Sequence, residues 1–487
     1  MAGIGFELKK LFAKKGLLNS AKAYGFAAVI CTGPMLLGIL LLLGITGLCM
    51  VAGVELETRE LLICMITYTM FASITISSFF SVVVTRCISD LLFQKNKDGV
   101  LPVFWGSTVL LILIGSVIYG IFLLFSGAEL LQGILCFILF GELMVVWNAM
   151  NFLSAIKDYK GIFTSFFVSV FVSLALGALL LWLELPVIES LLFSVTVGYG
   201  VMLIWDVVLL HRYFPHTNQN PFDFLKWLDA FWTLAFSGLF MNIGMFAHLV
   251  IMWFSDIGMQ AGGSFFGAPW YDVPALLAYM TSFVTTISFV VSVEVNFYPR
   301  YRNHYSLYND KGTIGNIKQA EREMLGTLKT ELFYTAFKQF LFTAAVVALG
   351  GYLLDMLPLG FNEIMRGYFR TLCVAYGICS IGNMLMLILL YFADYKGAFI
   401  TTAIFAATSV IFTVVSLFFP NLYYGFGFLA ASLVFAVATA IRLDYFTRRL
   451  PYYILAVQPL VNNNKIGFCT KIGSFLEDKL GGSKNEK

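Results

Sequence analysis

The chain has 487 residues, of which 59% are hydrophobic and 12% charged, with 49 Phe and a formal charge of +3; its mean hydropathy is +0.85. Soluble globular chains carry roughly a quarter of their residues charged, so this composition excludes a soluble enzyme and places the chain in a bilayer. The small positive charge reports topology and gives no ground for nucleic-acid binding, because it is distributed by side of the membrane.

The first stretch, MAGIGFELKKLFAKKG, sets Ile4, Phe6, Leu8, Leu11 and Phe12 beside Lys9, Lys10, Lys14 and Lys15. That pattern suits a short helix lying on the inner leaflet, and equally a basic flank that fixes orientation. The apolar run behind it is about 30 residues, twice the length of a cleavable signal-peptide core, so the segment is expected to stay attached. Runs long enough for a helix to cross a bilayer, roughly 20 residues, then recur near 23–53, 62–84, 101–126, 131–154, 162–183, 188–210, 229–254, 273–297, 336–354, 367–392, 398–419 and 422–441. Lipid offers backbone N–H and C=O groups no partners, so the spans are predicted to be helices, and the alternation of a barrel strand is missing. Pro34 and Pro274 fall where a packed bundle absorbs a lost hydrogen bond. The predicted class is an all-α polytopic membrane protein with about twelve transmembrane helices.

With the N-terminus inside, every one of the 31 Lys and Arg residues except Arg59, Arg366 and Arg370 falls on a cytoplasmic segment. This asymmetry predicts an even number of spans with both termini cytoplasmic, and hence a multi-pass protein of the cytoplasmic (inner) membrane. The eight cysteines show no CxxC spacing and lie mostly in spans, where Cys acts as a small hydrophobe, so neither a disulfide framework nor a metal site is indicated.

An internal repeat organises the spans. KDYKG at 157–161 joins the fourth run to the fifth, and ADYKG at 393–397 joins the tenth to the eleventh. Asp158, Tyr159 and Lys160 thus occupy the place in one half that Asp394, Tyr395 and Lys396 occupy in the other. SFFSVVVTRC (78–87) and SFVVSVEVNF (288–297), at the inner ends of runs two and eight, are a weaker echo. A polar Gly-containing turn also suits any tight helix connection. Equivalent placement in a 6+6 plan favours two pseudo-symmetric six-helix halves of parallel topology, the pattern of alternating-access transporters. The expected organisation is an interfacial N-terminal segment (1–22), an N-terminal half (23–210), a cytoplasmic linker (211–228), a C-terminal half (229–441) and a basic cytoplasmic tail (442–487).

Polar groups inside spans are the candidate transport residues. Glu142, in LFGELMVVW, lies halfway along run four; Asn148 and Asn151 point about 120° and 180° away from it at 100° per residue. Its partner is therefore expected on another run, with His248 or a run-two hydroxyl as candidates, or else it faces a cavity. Arg86 and Glu294 sit at equivalent inner ends of runs two and eight, where they form a candidate gate pair, or a snorkelling arginine and a locally bonded acid. Arg366 and Arg370 share one helical face at the outer start of run ten, facing either a vestibule or outer headgroups. In the outer loop 255–272, Trp270 and Tyr271 suit weak contact with sugar faces, though aromatic belts are common at interfaces. The polar inner stretch NIKQAEREMLGTLKTE is either a solvated helix or a docking surface. Four histidines and no Walker, Rossmann or HExxH spacing leave little for catalysis or a cofactor.

The opening MAGIGFELKKLF, the stretch AYGFAAVICTGP and the KDYKG turn resemble the PelG family, the membrane subunits of Pel exopolysaccharide synthesis systems, and the likeness covers essentially the whole chain. The resemblance implies a MOP-flippase-like architecture and movement of a hexosamine-rich polymer across the cytoplasmic membrane, by a path between the halves. It also implies as partners a PelF-like cytosolic glycosyltransferase and PelD- and PelE-like membrane subunits. Two other readings fit the residues: a cation-coupled exporter of small amphiphiles in the same superfamily, and a non-transporting scaffold for a synthase.

Overall fold

The computed structural model describes residues 17–481 apart from 157, 218, 310–311, 356–359 and 456–466. Most of the interfacial segment expected over 1–22, and parts of the tail expected over 442–487, lie outside the described residues. Twelve helices among the described residues are long and apolar enough to cross a bilayer. The first six are α1 (Leu17–Val51), α2 (Leu56–Phe93), α3 (Val100–Phe125), α4 (Leu130–Ala155), α5 (Tyr159–Trp182) and α6 (Val187–Tyr213). A short α7 (Leu225–Ala230) precedes the seventh span, α8 (Trp232–Trp253). The eighth is a broken rod of α9 (Pro269–Tyr279), a 3-10 turn (Met280–Ser282), α10 (Phe283–Ser292), a π-helix (Val293–Phe297) and α11 (Tyr298–Asn309). The last four are α12 (Ile314–Asp355), α13 (Glu363–Tyr391), α14 (Tyr395–Ser416) and α15 (Gly425–Thr447), followed by α16 (Leu450–Leu455) and α17 (Phe468–Gly481).

Helix α12 is 42 residues long. At 1.5 Å per residue it measures about 63 Å, roughly twice the hydrocarbon thickness. The stretch NIKQAEREMLGTLKTE is therefore the solvent-side half of a spanning helix rather than a separate element. Met324 and Leu328 on that half join Phe297, Ile388, Phe392 and Phe446 in a buried cluster, which fixes how the polar half is held.

Contacts divide the chain into two units. Among the described residues, one comprises 34–268 with 467–481; the other comprises 17–33 with 269–455. In the first, α8 lies against α2, where the bare Gly238 permits close approach: a Cβ there would stand 2.4 Å from Ser78 O. The loop after α8 forms a two-stranded hairpin, β1 (Met259–Gly262) with β2 (Phe265–Gly267). Its tip, Gly263, has φ +54°, and Ser264 N donates to Ser126 O at 2.7 Å. Helix α17 joins this unit through α7. Cys469 N and Thr470 N donate to Asp229 Oδ1 and Oδ2 at 3.1 and 2.7 Å, and Thr470 Oγ1 adds a third bond at 2.6 Å. A carboxylate facing free N–H groups at a helix start is favoured by both hydrogen bonding and the helix dipole.

Candidate functional site

The two DYKG turns share one local geometry. Asp158 caps α5 with φ −84° and ψ 63°, and its carboxylate accepts from Gly161 N at 3.0 Å. Asp394 caps α14 with φ −81° and ψ 68°, accepting from Gly397 N at 3.1 Å. Glycine is needed at the third helical position because a Cβ would run into the capping carboxylate in both turns. The helix after next returns to each aspartate: Tyr213 OH donates to Asp158 Oδ2 at 3.1 Å, and Arg442 grips Asp394 through Nε and Nη2 at 2.6 and 2.9 Å. Tyr159, Lys160, Tyr395 and Lys396 start the helices.

In the unit of residues 34–268, Glu142 is half-buried on α4 and leans on α6, where a Cβ on Gly200 would stand 3.0 Å from its Oε1. Oε2 has no hydrogen-bond partner. Of the expected partners, His248 is fully buried on α8 and bonds the backbone of Met245, and among the run-two hydroxyls Ser73 accepts from Trp147 Nε1 at 3.1 Å. Asn148 Nδ2 donates to Ser107 and Thr108 hydroxyls on α3, both at 2.9 Å, and Asn151 Oδ1 accepts from Ser81 Oγ on α2 at 2.8 Å. These amides bind helices together, which leaves Glu142 as the pathway candidate on α4. Arg86 pairs with Asp90 at 3.1 Å one turn along its own helix, lies 5.7 Å from the centre of the Phe231 ring, and Asp90 also accepts from Trp227 Nε1 at 3.0 Å.

Sequence reasoning missed a second intramembrane carboxylate, Asp206 on α6, which is 0% exposed with neither oxygen hydrogen-bonded. It lies near the C-terminal end of run six (188–210). The signal that finds it is Ser165, Ser169 and Ser173, recurring every fourth residue on run five and so lining one face. All three are buried at the α5–α6 contact.

In the other unit, the backbone of Glu294 falls in the π-helix, and its side chain lies outside the described residues. Asn296 donates to Glu331 of α12 at 2.7 Å. Between α9 and α10 the helical ladder is interrupted, and a side chain repairs it. Gln339 Nε2 donates to Thr281 O at 3.0 Å, while its Oε1 accepts from Thr285 N at 3.1 Å and Thr285 Oγ1 at 2.7 Å. Thr281 and Thr285 would ordinarily bond each other at i and i+4. The carboxamide of α12 is therefore inserted into the backbone of the eighth span, a recognised cause of helix breaks. Arg366 bonds Glu363 at 3.0 Å, as its spacing predicts, and Arg370 Nη2 stands 3.7 Å from the Cβ position of Gly351. Tyr271 is 0% exposed and packs edge-on to Tyr368 at 5.3 Å. Its expected contact with sugar is thereby corrected: the ring is committed to the core, and Trp270, half exposed, is the remaining aromatic of that pair.

Among the described residues no group of three or more His, Cys, Asp or Glu could hold a metal ion.

Residues 1–455 match the model of a family described as PelG, “Putative exopolysaccharide Exporter (EPS-E)”. Among solved structures, an inward-facing multidrug resistance MATE family transporter of the MOP superfamily is 14% identical, with a TM-score of 0.58 over 88% of this chain and 100% of that one. Its outward-facing counterpart is 15% identical at 0.56 over 87% and 96%. A MOP superfamily transporter from Pyrococcus furiosus, described as having a binding pocket of reverse polarity, is 14% identical at 0.55 over 88% and 96%. No curated protein sequence matches the chain. The solved structures establish a shared twelve-helix fold; at these identities they carry nothing about substrate.

Proposed function

Since the chain belongs to the PelG family of exopolysaccharide exporters, we propose that it carries a hexosamine-rich polymer across the cytoplasmic membrane as a PelF-like glycosyltransferase extends it on the inner side, beside PelD- and PelE-like membrane subunits. The family match over residues 1–455 carries this reading, and the MOP-type fold is compatible with it. Glu142 is the pathway residue proposed for the unit of 34–268, because a mid-span carboxylate with a buried oxygen that has no hydrogen-bond partner needs water or substrate beside it. The distribution of Lys and Arg supports a cytoplasmic location for both termini.

The test is deletion of the chain in a cell whose synthase remains intact, followed by polymer measurement inside and outside. Export predicts loss of external polymer, rescue by the wild-type chain, and weak or no rescue by Glu142→Gln inserted at normal abundance. The rival reading, export of small amphiphiles, predicts that the chain alone lowers accumulation of a cationic dye and that external polymer is unchanged by deletion.

A further inference from the structure

The α5–α6 contact is lined by buried polar side chains, and the export reading gives it no role. The two helices run antiparallel in a register that brings Ser165 opposite Asp206, Ser173 opposite Gly198 and Gly177 opposite Ser194. A Cβ on Gly198 would collide with the Ser173 hydroxyl and stand 2.7 Å from Ser169 O; one on Gly177 would lie 3.1 Å from Ser194 Oγ. The approach is close enough to keep lipid out. Within it Ser165, Ser169, Ser173 and Asp206 are all at most 1% exposed, and the hydroxyls of Ser169 and Ser173 lack partners, as do both oxygens of Asp206.

Such an arrangement is costly for a structural contact. Small residues alone hold transmembrane helices together, whereas a buried polar group without a hydrogen bond, and above all an unpaired charge, opposes burial. An apolar residue at 206 would serve packing better. Ser165 Oγ, which faces the carboxyl, donates to Ile162 O at 3.0 Å, so it can turn to the carboxyl only by giving up that bond. The charged groups around Asp206 are themselves acidic or already engaged. Asp158 caps the facing α5; Glu142 of α4 meets α6 six residues further out, at Gly200; Arg86 and Asp90 of α2 pair with each other. On α6 itself, His211 bonds Val207 O and is exposed, and Arg212 is exposed. Among the described residues no cation is paired with Asp206.

We infer that Asp206, with Ser165 beside it, is a proton-binding site in the membrane, loaded and unloaded as the exporter works. A proton suits this site better than a metal ion. One carboxylate oxygen suffices to bind a proton, whereas a hard cation seeks about six oxygen ligands, and no further carboxylate joins Asp206 in the seam. Loading forms one O–H bond on the carboxyl with a proton taken from water; unloading breaks it and returns the proton to water. Tyr213 and Asp158, joined at 3.1 Å, lie about 10 Å nearer the end of α6. The hydroxyls of Ser169, Ser173 and Ser194 continue the seam in the other direction. The inference rests on the export reading for its purpose, but its test does not.

The experiment uses the full chain in proteoliposomes, with infrared difference spectroscopy of the carboxyl region between acid and alkaline buffer and a trapped pH dye to follow proton entry under an imposed gradient. Glu142→Gln is the background, so that a titrating mid-span carboxyl is assignable. The site predicts a neutral-carboxyl band, shifted in D2O, that titrates in Glu142→Gln and disappears in Glu142→Gln/Asp206→Asn, together with at least a tenfold fall in proton entry for Asp206→Asn. Should the Asp206→Asn chains fail to insert, the band in the Glu142→Gln background decides alone, and Ser165→Ala must shift its midpoint. No titrating band in that background overturns the site, as does proton entry unchanged by Asp206→Asn, or a band that responds to sodium and not to pH. A chain that exports polymer without the band refutes the site and leaves the function; a chain with the band that moves no polymer does the reverse.

Discussion

The inserted carboxamide of Gln339 gives the sharpest structural prediction. Gln339→Leu keeps approximate volume and removes its bonds to Thr281 O, Thr285 N, Thr285 Oγ1 and Thr343 Oγ1. Two of these partners are buried backbone groups, and each costs about 1–3 kcal/mol if left unsatisfied, so the loss is about 2–6 kcal/mol if the break between α9 and α10 persists. The eighth span has one escape: closing the interruption so that Thr285 N bonds Thr281 O directly. In that case most of the loss is recovered and the span changes shape instead. Gln339→Glu separates the two effects, since an ionised carboxylate accepts from Thr285 but cannot donate to Thr281 O. Thermal unfolding of purified protein, with hydrogen exchange at 281–285, reads both. The expected results are a lowered midpoint with faster exchange, or a held midpoint with slower exchange as the direct bond forms. An unchanged midpoint together with unchanged exchange would refute the reasoning.

At the second repeat turn, Arg442→Gln and Asp394→Asn should each destabilise, and the double variant should lose less than their sum, with a coupling of at least about 1 kcal/mol in a thermodynamic cycle. For α17, burial opposes ionisation of Asp229, but the bonds from Thr470 and Cys469 outweigh it and hold the carboxyl below its usual range. The docking contribution is therefore full above the unfolded value of about 3.9 and lost as pH falls through the lowered folded value; limited proteolysis should show α17 protected from pH 5 to 8 and released in stronger acid, while Asp229→Ala releases it throughout. Cysteines at Asp158 and Lys396 should resist impermeant thiol reagents in intact cells and one at Gly263 should react; labelling of all three would contradict the orientation.

Hydropathy made the spans legible because bilayer thickness imposes length and lipid imposes helix. The repeat was legible because a capping Asp and a bare Gly three residues on are demanded by one turn geometry wherever it occurs. What remained hidden depends on register between distant helices. Nothing near 281–285 announces that a glutamine from α12 will enter that backbone, and no local rule tells that Asp229 waits for the start of α17. Asn148 and Asn151 read as pathway groups because a span position alone does not reveal the serines and threonine of the neighbouring helices. Asp206 was overlooked through distance from the run's centre, although the serine column on run five was visible; Tyr271 read as a surface ring because loop position does not report burial.

The central claim is movement of a growing polysaccharide, and it is tested most directly in inverted inner-membrane vesicles supplied with the glycosyltransferase, its membrane partners and radiolabelled nucleotide sugar. The account predicts label in polymer that a glycosidase cannot reach until detergent opens the vesicles, only when this chain is present, and much reduced with Glu142→Gln. Polymer equally protected without the chain, or fully accessible to glycosidase with it, would contradict the account.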